Sequence, residues 1–274
     1  MKKSSSILKS QAKFLKYIPN CLTLCNSLCG FAAILYMIHS YKADAAEAMP
    51  IFVIASVMIF SAMIFDVFDG LAARLLNAAS LHGIQMDSLS DMVTFGVTPA
   101  VLTALLSQCF LGWELSTGWK IYIYLLCSVY LGGAALRLAT YNVHATLEKK
   151  SSDTFSGLPS PGAAAAICVA VFFIRSRFGC CPQALQKIAI YLPVYAAILG
   201  LLMTSTIPYI HAGKWFMSIR RNRKKLPLVL VMIAVIVCFK TSGLAFLTAA
   251  YILSGPVMLC FTHCFRRKQS TENK

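Results

Sequence analysis

The sequence predicts an all-α, polytopic membrane bundle, a six-helix core followed by two C-terminal spans. Three observations predict it. Of 274 residues, 58% are hydrophobic and 13% charged, where soluble domains carry about 45–50% and about 25%. Mean hydropathy is +0.70. The apolar residues fall in runs of about 20, the length of a bilayer-crossing helix. This composition excludes a disordered chain, a collagen and a disulfide-knot scaffold, and argues against a water-soluble enzyme.

The elements follow in order. Residues 1–16 form a polar tail with Lys2, Lys3, Lys9, Lys13 and Lys16. The apolar run at 17–41 is too long for a signal-peptide core and lacks a small-residue cleavage site, so it reads as the first span. Further spans are expected near 48–68, 93–113, 121–141, 160–178 and 188–210, with the first at 18–40. The last two, 226–240 and 243–264, are divided only by Lys240-Thr241-Ser242-Gly243 and are expected to form a tight hairpin. The chain thus divides into a tail (1–16), a membrane core (17–210), a basic loop (211–225), a helical hairpin (226–264) and a second tail (265–274).

Lys and Arg number 25 against 10 acids, a net charge of +15. In membrane proteins such an excess lies on cytoplasmic loops, facing anionic lipid. Nucleic-acid binding is disfavoured, because no compact basic domain carries the charge. The N-terminal tail, the loop of Arg74, the loop of Lys149 and Lys150, the run at 214–225 and Arg266-Arg267-Lys268 fall on one side of this scheme. That side is cytoplasmic, and it holds both termini. Arg175, Arg177 and Lys187 fall on the other side and go against the rule. Most of the 11 Cys lie in apolar runs, where Cys acts as a small hydrophobe. Cys180 and Cys181 have no His at zinc-ligand spacing. Trp113, Trp119 and Trp215 flank spans, as an interfacial belt does.

The acids carry the functional signal. Four of the 10 lie within 26 residues: Asp66, Asp69, Asp87 and Asp91. Carboxylates at the edge of a bilayer are costly and by default mark function. Asp66 and Asp69 share a helix face, which Gly70, Ala73 and Arg74 continue; Gly83, Asp87 and Asp91 recur every fourth residue on another. Two antiparallel helices would aim all four at one pocket. Clustered carboxylates need a counter-charge, and oxygen-only ligands suit a hard cation, Mg²⁺ or Mn²⁺. Two such ions suit phosphoryl chemistry. Gly70 and Gly83 would let a phosphate approach the backbone, and Arg74 offers a fork for phosphate oxygens. Solvated loop charges or a structural ion-pair set are the alternative, disfavoured because Arg74 is the only nearby cation. A cation-coupled transporter is the alternative of another class. It predicts acids spread toward the midplane rather than gathered at one surface.

The string Asp66-x2-Asp69-Gly70-x2-Ala73-Arg74-x8-Gly83-x3-Asp87-x3-Asp91 resembles, at every defined position, the signature of the CDP-alcohol phosphatidyltransferase family. The resemblance implies a six-helix core and displacement of CMP from a CDP-linked lipid by an alcohol. It implies that Asp66, Asp69 and Asp87 hold a first metal ion, and that Asp91 holds a second and serves as the base. It implies that Asp66, Asp69, Gly70, Arg74 and Ser80 meet the CDP-lipid.

Three further strings are similar to the serine-using branch of that family. They are Pro19-Asn20-x2-Thr23, Arg137-Leu138-Ala139-Thr140-Tyr141-Asn142, and Phe155-x-Gly157-Leu158-Pro159-Ser160-Pro161-Gly162-Ala163-Ala164. Thr140 stands where the branch usually has a second Arg. The implied reaction joins CDP-diacylglycerol and L-serine into phosphatidylserine and CMP. Inositol phosphate and glycerol phosphate stay open as other acceptors. Arg137 is either a snorkelling interface residue or the holder of the serine carboxylate. Asn142 is either a plain helix-end residue or a contact for the serine amino group. Asn20 and Thr23 are either ordinary helix-start residues or CDP-lipid contacts. Pro159 and Pro161 either start a helix or shape the acceptor pocket. A homodimer is left open.

Overall fold

The computed structural model describes residues 17–76, 80–147, 155–179, 181–209 and 226–272. The basic tail, Lys149, Lys150, Cys180 and the run at 214–225 with Trp215 lie outside them, and so do the charge arguments built on those residues.

Helix dominates. α1 spans Ile18–Met37, α2 Ala45–Leu75, α3 Leu81–Asp91, α4 Thr98–Leu111 and α5 Thr117–Leu147. α6 spans Ser160–Phe178, α7 Pro182–Thr204 and α8 Leu226–Glu272. A π-helical turn, Met92–Val97, joins α3 to α4 into one continuous rod. The one strand pairing among the described residues is antiparallel, β1 (Phe155–Ser156) with β2 (Pro208–Tyr209), Phe155 opposite Tyr209. Seven stretches of the described residues are long and apolar enough to cross a membrane, the last being Val237–Leu259. The protein is an integral, multi-pass membrane protein of all-α class.

The inward and outward faces reverse the pattern of a soluble helix. The buried stripe of α1 is Pro19, Thr23, Asn26, Gly30, Ala33 and Met37, a seam at coiled-coil spacing. Its large apolar residues Leu24, Leu28, Phe31 and Leu35 face outward. Lipid is as apolar as Leu, so membrane helices associate through small residues and hydrogen bonds instead. α5 and α7 meet the same way: a Cβ on Gly133 would fall on the Gly200 carbonyl. The interior is filled by Phe52, Phe95, Leu102, Leu106, Tyr130, Ile167 and Leu199.

Element boundaries depart from the hydropathy reading where the helices carry charge. The second span was expected to end at 68, but α2 runs on to Leu75, through Asp66, Asp69 and Gly70. The third was expected from 93, but the rod begins at Leu81, with Ser80 as its cap: the Gly83 amide donates to Ser80 Oγ at 3.0 Å. No Pro or β-branched run breaks either stretch, so the helices project past their apolar parts. The sixth span occupies Pro182–Thr204 rather than 188–210, since Pro182 is placed to start a helix. The two C-terminal spans are two helical segments of α8 that meet at Lys240, whose backbone is non-helical (φ 49°, ψ −126°), at the divide the sequence placed at Lys240-Thr241-Ser242-Gly243. The side chains of 226–234 lie outside the described ones. Helix also continues to Glu272, where a tail was expected.

Candidate active site

α2 and α3 bring the acidic motif together. Carboxylate oxygens of Asp66, Asp69 and Asp87 lie within 4.8 Å of one another. An octahedral Mg²⁺ holds its ligands at about 2.0–2.1 Å, which sets neighbouring ligand oxygens about 3–4 Å apart. A small side-chain adjustment would bring the trio to that spacing, so the three could hold one cation. A buried Asp87 oxygen, Oδ1, has no hydrogen-bond partner; buried polar atoms are rarely left so without a ligand or water to meet them. Asp91 lies one helical turn deeper than Asp87, 9% exposed, and falls outside the trio. It remains within electrostatic reach of Asp66, Asp69 and Asp87.

α1 holds both acidic helices in place. Thr23 Oγ1 donates to Asp69 Oδ2 at 2.7 Å, closer than its alternative, the Pro19 carbonyl at 3.0 Å. Asn26 Nδ2 donates to Asp91 Oδ1 at 3.1 Å. Beside these, three hydroxyls at four-residue spacing bond α1 carbonyls: Ser90 to Thr23 at 2.8 Å, Thr94 to Asn26 at 3.1 Å and Thr98 to Gly30 at 3.2 Å. Helices tied this closely need small residues between them, and a Cβ on Gly30 would sit 2.7 Å from Thr94 Oγ1. The π turn after Asp91 leaves the Phe95 carbonyl to accept from Tyr130 at 2.8 Å. Such turns recur at functional sites.

The remaining candidates divide. A Cβ on Gly70 would meet nothing within 4 Å, so the backbone there is open to approach. Gly83 is not open: a Cβ would meet Ser80 Oγ at 3.3 Å and Asn20 Oδ1 at 3.7 Å. Asn20 and Ser80 thus gather at the start of α3. Arg74 is exposed on the last turn of α2. Asn142 accepts from Ser88 Oγ at 2.7 Å, next to Asp87 in sequence.

Arg137 stands on the deep side of the site. Its Nη1 donates to Ser160 Oγ at 2.9 Å, Ser160 being fully buried. Its Nε is buried with no hydrogen-bond partner, and Asp91 lies within its electrostatic reach. The loop before α6 delivers Ser160. Gly157 has φ +88°, and a Cβ there would strike the Met203 carbonyl, so only Gly fits. The Gly157 and Leu158 amides donate to the Ile207 and Leu202 carbonyls at 2.8 and 3.0 Å, and Pro161 opens the helix.

The sequence reading missed Asn26, which it took no notice of, and Ser160, which it quoted only as part of a string. The buried small-and-polar stripe of α1 was the available signal for Asn26.

The family model described as CDP-alcohol phosphatidyltransferase matches residues 16–201. The chain is similar to a CDP-diacylglycerol–serine O-phosphatidyltransferase of Bacillus subtilis, 35% identical over 162 residues, 58% of this chain and 77% of that protein. It is similar to the Helicobacter pylori J99 protein of the same description, 27% identical over 246 residues, 89% of this chain and 91% of that one. A Saccharomyces cerevisiae protein of that description is 34% identical over 160 residues, 56% of this chain and 53% of its own.

Proposed function

The chain belongs to the CDP-alcohol phosphatidyltransferase family, and on that premise we propose that it transfers the phosphatidyl group of CDP-diacylglycerol to L-serine, releasing CMP. The observation that carries this reading is the convergence of Asp66, Asp69 and Asp87, with Asp91 and Arg137 beside it on the deep side. The names of the relatives support serine as acceptor. So does the chemistry of Arg137, whose planar fork matches a carboxylate.

Asp66, Asp69 and Asp87 would hold Mg²⁺ or Mn²⁺, with Asp91 at a second ion. Bound there, the metal supplies positive charge to the diphosphate oxygens as negative charge grows on the leaving group. The diacylglycerol tails stay in lipid while the CDP headgroup lies over Gly70, toward Arg74, Ser80, Asn20 and Thr23. Arg137 holds the serine carboxylate, and Asn142 lies on the side of the amino group. Asp91 accepts the proton of the serine hydroxyl. The freed oxygen bonds to the lipid-side phosphorus, the bond from that phosphorus to the CMP oxygen breaks in line, and CMP leaves with the electron pair. The protein's contribution is position and charge. The site opens on the cytoplasmic face.

The test is CMP release by purified protein given CDP-diacylglycerol and each alcohol in turn. Release with L-serine, and not with inositol phosphate or glycerol phosphate, is expected. Asp91→Asn should lower kcat at least about 10²-fold, since general-base catalysis contributes about 10²–10⁴, while CDP-diacylglycerol binding persists. Near-normal turnover by Asp91→Asn would remove the base from the scheme.

A further inference from the structure

The family match ends at residue 201, yet the last helix reaches the site. The chain after the Lys240 bend runs back along α6 and is fixed at both ends of it. At one end Arg177 Nε and Nη2 donate to Ser242 Oγ at 3.2 and 2.9 Å. At the other end Tyr209, on β2, donates its hydroxyl to the Ile252 carbonyl at 3.0 Å. The ring of Tyr209 covers Gly255, where any Cβ would collide with it. β2 pairs with β1, which leads directly into the Ser160 loop. One clasp therefore fixes both the loop that carries Ser160 and the helix that carries Tyr251.

Tyr251 is what this docking delivers. Its ring packs against Tyr209 at 5.9 Å between centroids. Its Cε1 lies 3.4 Å from where a Cβ of residue 162 would stand, an ordinary contact distance, so the ring rests against Gly162 at the head of α6. Its hydroxyl is within electrostatic reach of the Arg137 guanidinium, on which Ser160 also acts. Arg137 thus bonds Ser160 of α6 and has Tyr251 of α8, Asp91 of α3 and Tyr141 of its own helix within electrostatic reach.

We propose that the C-terminal helix completes the acceptor pocket: Tyr251 is a positioning residue that, with Ser160, sets the Arg137 guanidinium to receive the acceptor's carboxylate. This rests on the reading of Arg137 given above. A flexible Arg loses side-chain freedom when it grips a ligand, and a neighbour that fixes it beforehand lowers that cost. The consequence belongs to acceptor affinity and not to the chemical step.

The experiment measures KM for L-serine, KM for CDP-diacylglycerol and kcat in the full-length protein. Tyr251→Phe keeps the ring and removes the hydroxyl. It is expected to raise the serine KM about tenfold, the scale of losing one polar partner of a charged group, with kcat and the CDP-diacylglycerol KM within twofold. Arg137→Lys should raise the serine KM at least as far, and adding Tyr251→Phe to it should cost nothing more. Gly162→Val, which crowds the ring, should reproduce the Tyr251→Phe split. Leu253→Ala, on the exposed side of the same helix, should change neither constant. A serine KM unmoved by Tyr251→Phe, with Arg137→Lys still raising it, overturns this inference and leaves the proposed function standing. A serine KM unmoved by Arg137→Lys, or no serine-dependent CMP release at all, overturns the reading of the acceptor site and this inference with it.

Discussion

Asn26 shows what a single buried amide does for a carboxylate. Asp91 is 9% exposed and faces three other acids, so its orientation depends on the donors that meet it. Asn26 is fully buried, and its Nδ2 is the donor that α1 extends to Asp91 Oδ1, at 3.1 Å. Removing it leaves the acid in place but free to turn. A misplacement of about 1 Å at a reacting group can cost about 10²-fold in rate. Asn26→Ala is therefore expected to lower kcat about 10²-fold with the CDP-diacylglycerol KM little changed, read by CMP release. Rates within threefold of wild type would show that Asp91 is held by other means. The four acids were legible in the sequence because periodicity within one helix is local. Asn26 was not, because its partner lies 65 positions away, and one Asn inside an apolar run has no periodic signature of its own. Metal affinity belongs to the same scale. Asp66→Ala removes one of three converging carboxylates, so Mn²⁺ binding followed by titration should weaken at least about tenfold, the lower end for disturbing a metal shell. Unchanged Mn²⁺ affinity would place the ion elsewhere.

Between elements, the decisive contact is the seam of α1 with the α3–α4 rod. Ser90, Thr94 and Thr98 each bond an α1 carbonyl, and Gly30 is the residue that lets the backbones approach. A Cβ there meets Thr94 Oγ1 at 2.7 Å and Thr94 Cα at 2.9 Å. The second of these is backbone and cannot turn aside. Gly30→Val should destabilise the protein by about 1–3 kcal/mol, the usual cost of overpacking, and lower its melting temperature in detergent. Gly132→Ala is the matched comparison. A Cβ at 132 meets nothing within 4 Å, so the change should be neutral or mildly stabilising through helix propensity. Equal melting temperatures for Gly30→Val and wild type would mean that the seam is loose. Helix number and order in the core were legible from hydropathy, and the spacing of the acidic motif carried α2 to Arg74 and α3 back to Gly83, but hydropathy alone did not. A hydropathy window stops at Asp66 and resumes after Asp91, whereas the backbone needs only caps and the absence of breakers to continue. The hydroxyl seam was hidden for another reason: Ser and Thr inside a span read as tolerated polar residues until the partner helix is known.

Across the whole molecule, the ends of α6 act as a ruler. Ser160 meets Arg137 at the site end, and Arg177 meets Ser242 at the other. They are 17 residues apart, about 25 Å at 1.5 Å per residue. Tyr209 is docked at the site end, against Tyr251 and Ile252. The chain therefore leaves the site end after Tyr209 and arrives at the far end by Ser242, and the helical stretch from Leu226 to the Lys240 bend lies between. At 15 residues, about 22 Å, that stretch is long enough to make most of the crossing. The same geometry explains why Arg177 goes against the charge rule: it is engaged with Ser242 rather than marking a cytoplasmic loop. If that stretch crosses, it adds one passage to the seven membrane-length helices of the described residues, and eight crossings are expected. α1 begins at the site end, where Thr23 meets Asp69, and the last helix passes Tyr251 heading out on that same end. Both termini should thus lie on the face that holds the acids. Protease-cleavable tags at the two ends test this in vesicles of known orientation. Both tags should be cut in inside-out vesicles and both protected in right-side-out ones. Tags cut in opposite preparations would mean an odd number of crossings, with the stretch before Lys240 lying along the membrane instead of through it.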